Sequence, residues 1–249
     1  MININDIHFS YQAETEYSFQ LTNCKLQVNQ GDHIVLLGAN GSGKSTLLKL
    51  ICGMLEANKG TIIINNKLLK QYSDLEKSKL ISIINQNPES GTASDLTLAE
   101  NMRLAYLRGS TKSIRIRLDA KFKEKAKKHL EILKMGLENK IELKAKELSG
   151  GQRQALTLAM ATFNEFSILV LDEPTAALDP KSANQVNQYI KHIMKNKGIC
   201  SVMVTHNLND AVLMGNRIIY MDRGVIIKDL SGLAKESLSS NDLFSWFKS

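Results

Sequence analysis

Gly38-Ala39-Asn40-Gly41-Ser42-Gly43-Lys44-Ser45 lies between two segments of opposite character. Before it runs Asp32-His33-Ile34-Val35-Leu36-Leu37, an apolar stretch that reads as a buried strand. After it comes Thr46-Leu47-Leu48-Lys49-Leu50-Ile51, which has helical composition. The spacing fits G-x-x-x-x-G-K-[ST], the phosphate-binding loop, in its required strand–loop–helix context. Glycines let the backbone curl so that successive N–H groups point inward at phosphate oxygens. The following helix adds the positive end of its dipole. In this reading Gly38 to Gly43, with Thr46, form the cradle. Lys44 holds the β- and γ-phosphates, and the Ser45 hydroxyl ligates Mg²⁺. An ordinary glycine-rich turn is the competing reading, and the context argues against it.

Two further motifs depend on that loop for their meaning. Ser167-Ile168-Leu169-Val170-Leu171-Asp172-Glu173 is a buried strand ending in two acids. In doubly wound folds the exposed end of such a strand lies near the phosphate loop. Asp172 is placed to orient Mg²⁺, and Glu173, one residue on, to act as general base for water. Leu148-Ser149-Gly150-Gly151-Gln152 opens a helix and offers free amides and a hydroxyl, a second anion site in one chain. One nucleotide does not need two cradles on one subunit. The implication is a dimer in which each protomer supplies its second cradle to the nucleotide held by the other.

Outward from these motifs the chain alternates strands and helices. Strands are expected at Gly60–Ile64, Ile81–Ile84, Ile168–Leu171, Cys200–Val204, Asn216–Met221 and Val225–Ile227, and a helix over about Ser182–Lys197. Residues 1–30 read as an antiparallel β region, with Phe19 and Leu21 among its apolar positions. From about Thr97 to Leu137 strand signals vanish, and the last 19 residues read as a small C-terminal helix. The pattern predicts an α/β fold: a mostly parallel sheet covered on both faces, with an antiparallel N-terminal region and an inserted α-helical subdomain.

Composition excludes several classes. At 249 residues with 43% hydrophobic and 23% charged side chains, disorder, collagen and coiled coil are all disfavoured. Cys24, Cys52 and Cys200 are an odd number without close spacing, which argues against a disulfide framework or zinc knuckle and for a reducing compartment. His8, His33, His129 and His192 lack metal-ligand spacing. No apolar run approaches a membrane span, and MININDIHFS lacks the features of a signal peptide, so a soluble, cytoplasmic chain is expected. The net charge of +7 is local: residues 103–128 carry ten basic side chains against Asp119 and Glu124. That segment reads chiefly as a solvated helix face, with contact to an anionic membrane or acidic partner as the alternative. It lacks the interleaved aromatics of a nucleic-acid surface, and no nucleic-acid partner is expected.

Taken together the motifs resemble those of the ATP-binding cassette ATPases, in the family's order and over nearly the whole chain. The resemblance implies a P-loop NTPase (RecA-like) fold that binds and hydrolyses ATP with Mg²⁺. It assigns Gly38–Ser45 as the Walker A loop, Ile168–Asp172 as the Walker B strand and Glu173 as the catalytic glutamate. Tyr11 falls where the family has its adenine-stacking aromatic. Gln86 matches the Q-loop glutamine that reaches Mg²⁺ and the attacking water. Leu148–Gln152 matches the signature motif, Ala177-Leu178-Asp179 the D-loop, and His206 the switch histidine. The implied organisation is one cassette over 1–249, with residues 1–90 and 150–230 as nucleotide-binding core, about 91–149 as helical signature subdomain and 231–249 as tail. The implied partners are a second ATPase subunit, a transmembrane permease and an extracytoplasmic substrate-binding protein, with the chain peripheral on the inner face of the membrane.

The chain departs from the common pattern at Ala155 and Met160, where many members carry Arg. With Gln152–Leu158, Gly91-Thr92-Ala93 and Leu104–Gly109, these positions resemble a smaller group of bacterial transporter ATPases. That group is linked to uptake systems proposed for amino acids, aromatic ones among them. A stand-alone cassette ATPase, such as one serving iron–sulfur cluster assembly, has similar size and the same motifs and stays open as the alternative. A DNA-repair or translation ATPase would usually bring coiled-coil insertions or a second cassette. Neighbouring genes for a permease and a binding protein would separate these classes.

Overall fold

The chain opens with an antiparallel pair, β1 (Ile2–Ser10) and β2 (Gln20–Val28), running from Ile2 opposite Val28 to Ser10 opposite Gln20 with register shifts on either side of Ile7. This computed structural model describes residues 1–11, 20–87, 91–108, 118–176, 178–196 and 198–247. Phe19, Gly109, Ala177 and Lys197, each named in the sequence expectations, lie outside the described residues, as does part of the basic segment 103–128. Next come β3 (His33–Leu37), α1 (Lys44–Ile51), β4 (Lys59–Ile64), β5 (Lys67–Leu68), α2 (Asp74–Leu80) and β6 (Ile81–Ile84). The helical stretch holds α3 (Leu98–Leu107) and α4 (Ala120–Glu131), and the signature residues open α5 (Gly150–Thr162). Then follow β7 (Ile168–Asp172), α6 (Pro180–Met194), β8 (Cys200–Val204), α7 (Leu208–Leu213), β9 (Arg217–Asp222) and β10 (Val225–Ser231). The chain ends with α8 (Gly232–Glu236) and α9 (Ser240–Ser245).

Two sheets result. One is antiparallel in the order β2-β1-β4-β5; the other runs β10-β9-β3-β8-β7-β6, parallel except for β10. The strand at Gly60–Ile64 belongs to the antiparallel sheet, pairing with β1, and so extends the region expected only over 1–30. β3 explains the sandwich. All five of its side chains are buried, Ile34 and Leu36 in one core and Val35 and Leu37 in the other. Each fully buried branched side chain contributes about 1.5–3 kcal/mol, so a strand apolar on both faces is stable only between two layers. The first core joins the antiparallel sheet and α1; the second takes in α3, α4 and α5.

Several elements differ from expectation. The C-terminal residues form two short helices, because Ser239 caps α9 and starts a new turn where one helix was expected. α2 was not foreseen, although Ser73 and Glu76 form a capping box at its start. α7 begins at an Asn207 cap immediately after the strand that ends near His206. Among the described residues no helix is long and apolar enough to cross a membrane.

Candidate active site

Parallel register brings the chemistry to one edge. Leu36 pairs with Val204, Asp172 with Val204, and Ile84 with Leu171, so β3, β7, β8 and β6 end level. The residues beyond those ends are the phosphate loop, Glu173, His206 and Gln86. Ligands in open α/β sheets bind at this carboxyl edge.

The loop's shape depends on its glycines. At Gly38 (φ 154°) an added Cβ would overlap the carbonyl oxygen of Met221 and sit 2.5 Å from Ser42 Oγ. Gly43 caps α1 in the left-handed region (φ 104°) and supplies no side-chain cap, which leaves the helix start open to an anion. Lys44 is buried and folds back, its Nζ donating to Gly38 O and Ala39 O, both at 2.8 Å, and to Ser42 Oγ at 3.5 Å. Burial lowers the Lys44 pKa, opposed by the charges of Glu173 and Asp172. Burial likewise raises the Asp172 carboxyl, helped by Glu173 and opposed by a hydrogen bond from Ser45 and by Lys49 and Lys44. Desolvation therefore outweighs attraction at both groups. A phosphate beside Lys44 and a cation beside Asp172 would each restore the balance.

Glu173 is held from two sides. His206 Nε2 lies 2.8 Å from its Oε1, and Gln86 Nε2 donates to its Oε2 at 3.3 Å. Its backbone N–H donates to Val204 O at 3.0 Å, and its φ is 49°. A non-glycine residue there costs roughly 1–2 kcal/mol, so the surroundings impose this turn. Tyr11, Asn40, Gly41, Gly43, Lys44, Ser45, Thr46, Glu173 and His206 together line one cavity of about 210 Å³. Tyr11 stands at its rim, edge-to-face with Phe9 at 4.9 Å and 3.4 Å from Thr46 Oγ1 through its hydroxyl.

Ser149, Gly150, Gly151, Gln152 and Asp179 are not in that lining. They form a second assembly. Ser149 caps α5, accepting from Gln152 N at 3.3 Å, and Asp179 caps α6, accepting from Lys181 N and Ser182 N at 3.1 and 3.0 Å. An added Cβ on Gly151 would meet Ser182 Oγ at 2.5 Å, so the two helix starts abut. Gln152 is also tied down by Lys140 Nζ, 3.0 Å from its Oε1. Sequence reading missed Ser182 and Lys140, whose only signal is a place in space. It also missed Gln154, which with Thr157 is a buried polar residue of α5.

The sequence profile described as ABC transporter matches residues 21–176, which leaves Tyr11, Asp179 and His206 outside the matched stretch. The chain is similar to the tyrosine transport ATP-binding protein of Clostridioides difficile, 33% identical over 91% of this chain and 90% of that protein. It is similar to the methionine import ATP-binding protein of Ligilactobacillus salivarius, 32% identical over 96% of this chain and 69% of that one. Among solved structures it matches the dimeric post-hydrolysis state of the ATP-binding cassette MJ0796 of Methanocaldococcus jannaschii, bound to ADP and Pi. The TM-score is 0.80 at 28% identity, covering 93% of this chain and 98% of that one.

Proposed function

We propose, from the premise that this chain belongs to the ABC transporter ATP-binding family, that it powers uptake of an amino acid through a membrane permease. It is an ATP hydrolase of the ABC type. The observation that carries the transport reading is the pair of relatives named for tyrosine transport and methionine import.

The residues support an in-trans reaction scheme. ATP sits in the cradle of Gly38 to Thr46 with its base on Tyr11. Lys44 exchanges the Gly38 and Ala39 carbonyls for phosphate oxygens. A second copy presents Ser149, Gly150, Gly151 and Gln152 across the nucleotide, with Asp179 at the same seam. Glu173 takes the proton of the attacking water, His206 links it to the γ-phosphate, and Gln86 carries the state of the site towards the partner.

The raised carboxyl of Asp172, hydrogen-bonded by Ser45, fits Mg²⁺, which favours few protein ligands beside phosphate and water. Ser45 and Asp172, with Gln86, would hold it, and it would neutralise charge on the transferred phosphoryl group.

The chain would work as a homodimer on the inner face of the membrane, with a substrate-binding protein outside. The segment after Gln86, around Leu96, Leu98, Met102 and Tyr106, would receive a cytoplasmic helix of the permease. Leu98 and Met102 are fully buried and fill the local core, so Tyr106 and the half-buried Leu96 are the available contacts. Identifying a neighbouring permease gene and co-expressing its product with this chain, then cysteine cross-linking from 91–106, tests the docking. Uptake of labelled tyrosine and methionine into proteoliposomes tests the cargo. A chain that never co-purifies with membranes would return the reading to a stand-alone ATPase.

A further inference from the structure

Gln154 stands two residues beyond Gln152 in α5 and is 2% exposed. Its Nε2 donates to Pro174 O at 2.9 Å, while its buried Oε1 has no hydrogen-bond partner among the described residues. An unpaired buried acceptor lowers stability, and an apolar side chain would fill the same space without it. What the amide contributes is its donor.

The carbonyl it holds belongs to the residue after Glu173, in a turn whose φ at Glu173 is 49°. That turn is tied elsewhere as well. Glu173 N donates to Val204 O at 3.0 Å and Ala176 N to Glu173 O at 3.1 Å. Thr175 Oγ1 donates to Asp210 Oδ2 at 3.5 Å, and Asn187 Nδ2 to Asp210 Oδ1 at 3.0 Å. Those bonds reach β8, α7 and α6. The Gln154 bond reaches α5, the helix that Ser149 caps.

We propose that Gln154 is a positioning residue for Glu173: through Pro174 it fixes where the carboxylate stands and joins it to the helix that carries the second cradle. This rests on Glu173 acting as the general base. A residue at positive φ keeps that conformation only while its surroundings over-determine it. Loss of the α5 bond frees the Pro174 carbonyl and lets the turn relax, and a displacement of about 1 Å can cost about 10²-fold in rate.

Gln154→Met preserves the volume and removes donor and orphan acceptor together, so their effects on stability oppose each other. The expected result is a kcat lower by about ten- to a hundredfold with KM for ATP within about twofold, and a nearly unchanged thermal midpoint. Ser82→Ala, which removes a buried hydroxyl bonded to Ala161 O at the other end of α5, is the control. It should lower the midpoint and leave kcat alone. In a Glu173→Gln background, Gln154→Met should cause no further loss, since the group it positions is gone. A kcat within about twofold of wild type, or the same fold-loss in both backgrounds, would overturn the proposal while leaving Glu173→Gln inactive. Wild-type turnover by Glu173→Gln alone would instead overturn the general-base reading. Should Gln154→Met fail to fold, Gln154→Leu is read by the same comparisons.

Discussion

The two glycine-rich turns of this chain, Gly38–Ser45 and Ser149–Gly151, both open helices, yet they are built to opposite plans. The first begins α1 at an uncapped Gly43 and is walled by Tyr11, Glu173 and His206 into a cavity. The second begins α5 behind a complete capping box, with Ser149 and Gly150 exposed and no part in that cavity. A cradle that has walls needs only its ligand. A cradle without walls needs another surface to close it. The difference is what a nucleotide shared between two copies of the chain requires.

The largest effect should come from the walled site. Glu173→Gln keeps the size, leaves one of the two acceptor oxygens that face Gln86 and His206, and in the proposed scheme removes the proton acceptor. Hydrolysis should fall by about 10²–10⁴ while ATP binding persists, and the variant should accumulate as an ATP-bound dimer on size exclusion. Turnover at the wild-type level would sink this half of the comparison.

The open site should show the next effect, and in trans. Ser149→Arg fills the exposed turn with a bulky cation, and should lower hydrolysis by about 10²-fold without weakening ATP binding to the monomer. Ser149→Ala removes the cap, at about 1 kcal/mol, and with it the hydroxyl offered to the partner's nucleotide, but adds no bulk or charge, so it separates loss of the side chain from blockade. Mixing Ser149→Arg with Lys44→Ala leaves one hybrid site intact, with Lys44 from the first chain and Ser149 from the second. ATP-driven dimerisation should partly return. If the mixture shows none, the two turns do not meet across a dimer.

What was legible in the sequence follows the same division. Gly38–Ser45 is contiguous, and its flanks announce their elements, so the loop and β3 could be read directly. Glu173 was readable because Ile168–Leu171 is apolar on both faces and can only be a central strand. The partners of the second turn were not readable. Ser182 touches Gly151 and Lys140 touches Gln152 across 31 and 12 residues of chain, and no local periodicity encodes such contacts. The C-terminal helices were misjudged for a different reason: the cap at Ser239 lies in the run Ser237-Leu238-Ser239-Ser240-Asn241, cap-forming residues that mark a break within the stretch.

A smaller effect should sharpen the description of the walled site. Tyr11 is 42% exposed and braced by Phe9 and Thr46, the placement of a stacking platform at a rim. Removing a base-stacking aromatic costs about 1–3 kcal/mol, so Tyr11→Ala should raise KM for ATP by about tenfold. Since the base does not react, kcat should hold. A fall in kcat at constant KM would mean that Tyr11 braces the loop and does not contact the base.

The smallest effect concerns the ground on which each turn stands. His33 lies in β3 beneath the first, its Nδ1 3.0 Å from Ser201 Oγ. His129 lies in α4 against the far end of α5, the helix that the second opens, its Nε2 3.1 Å from Ala159 O and from Tyr189 OH. Burial lowers both pKa values from 6.5, each opposed by a backbone hydrogen bond, to Met194 at His33 and to Ala159 at His129; Asp32 further opposes the shift at His33, whereas Lys125 adds to it at His129. For a folded pKa below the unfolded one, stability is full above 6.5 and is lost as pH falls through 6.5 towards the folded value, because the unfolded chain takes the proton first. Asp172, raised above 3.8, acts in the opposite sense as the pH falls further, since there the folded state is protonated first. The thermal midpoint should therefore decline below pH 6.5, and the slope is the quantity to compare. His129→Asn should flatten it more than His33→Asn, whatever each substitution costs at pH 8. Equal flattening would mean that burial alone sets both sites and that Lys125 contributes nothing. A greater effect from His33→Asn would move the acid-sensitive region from the open cradle's helices to the sheet beneath the walled one.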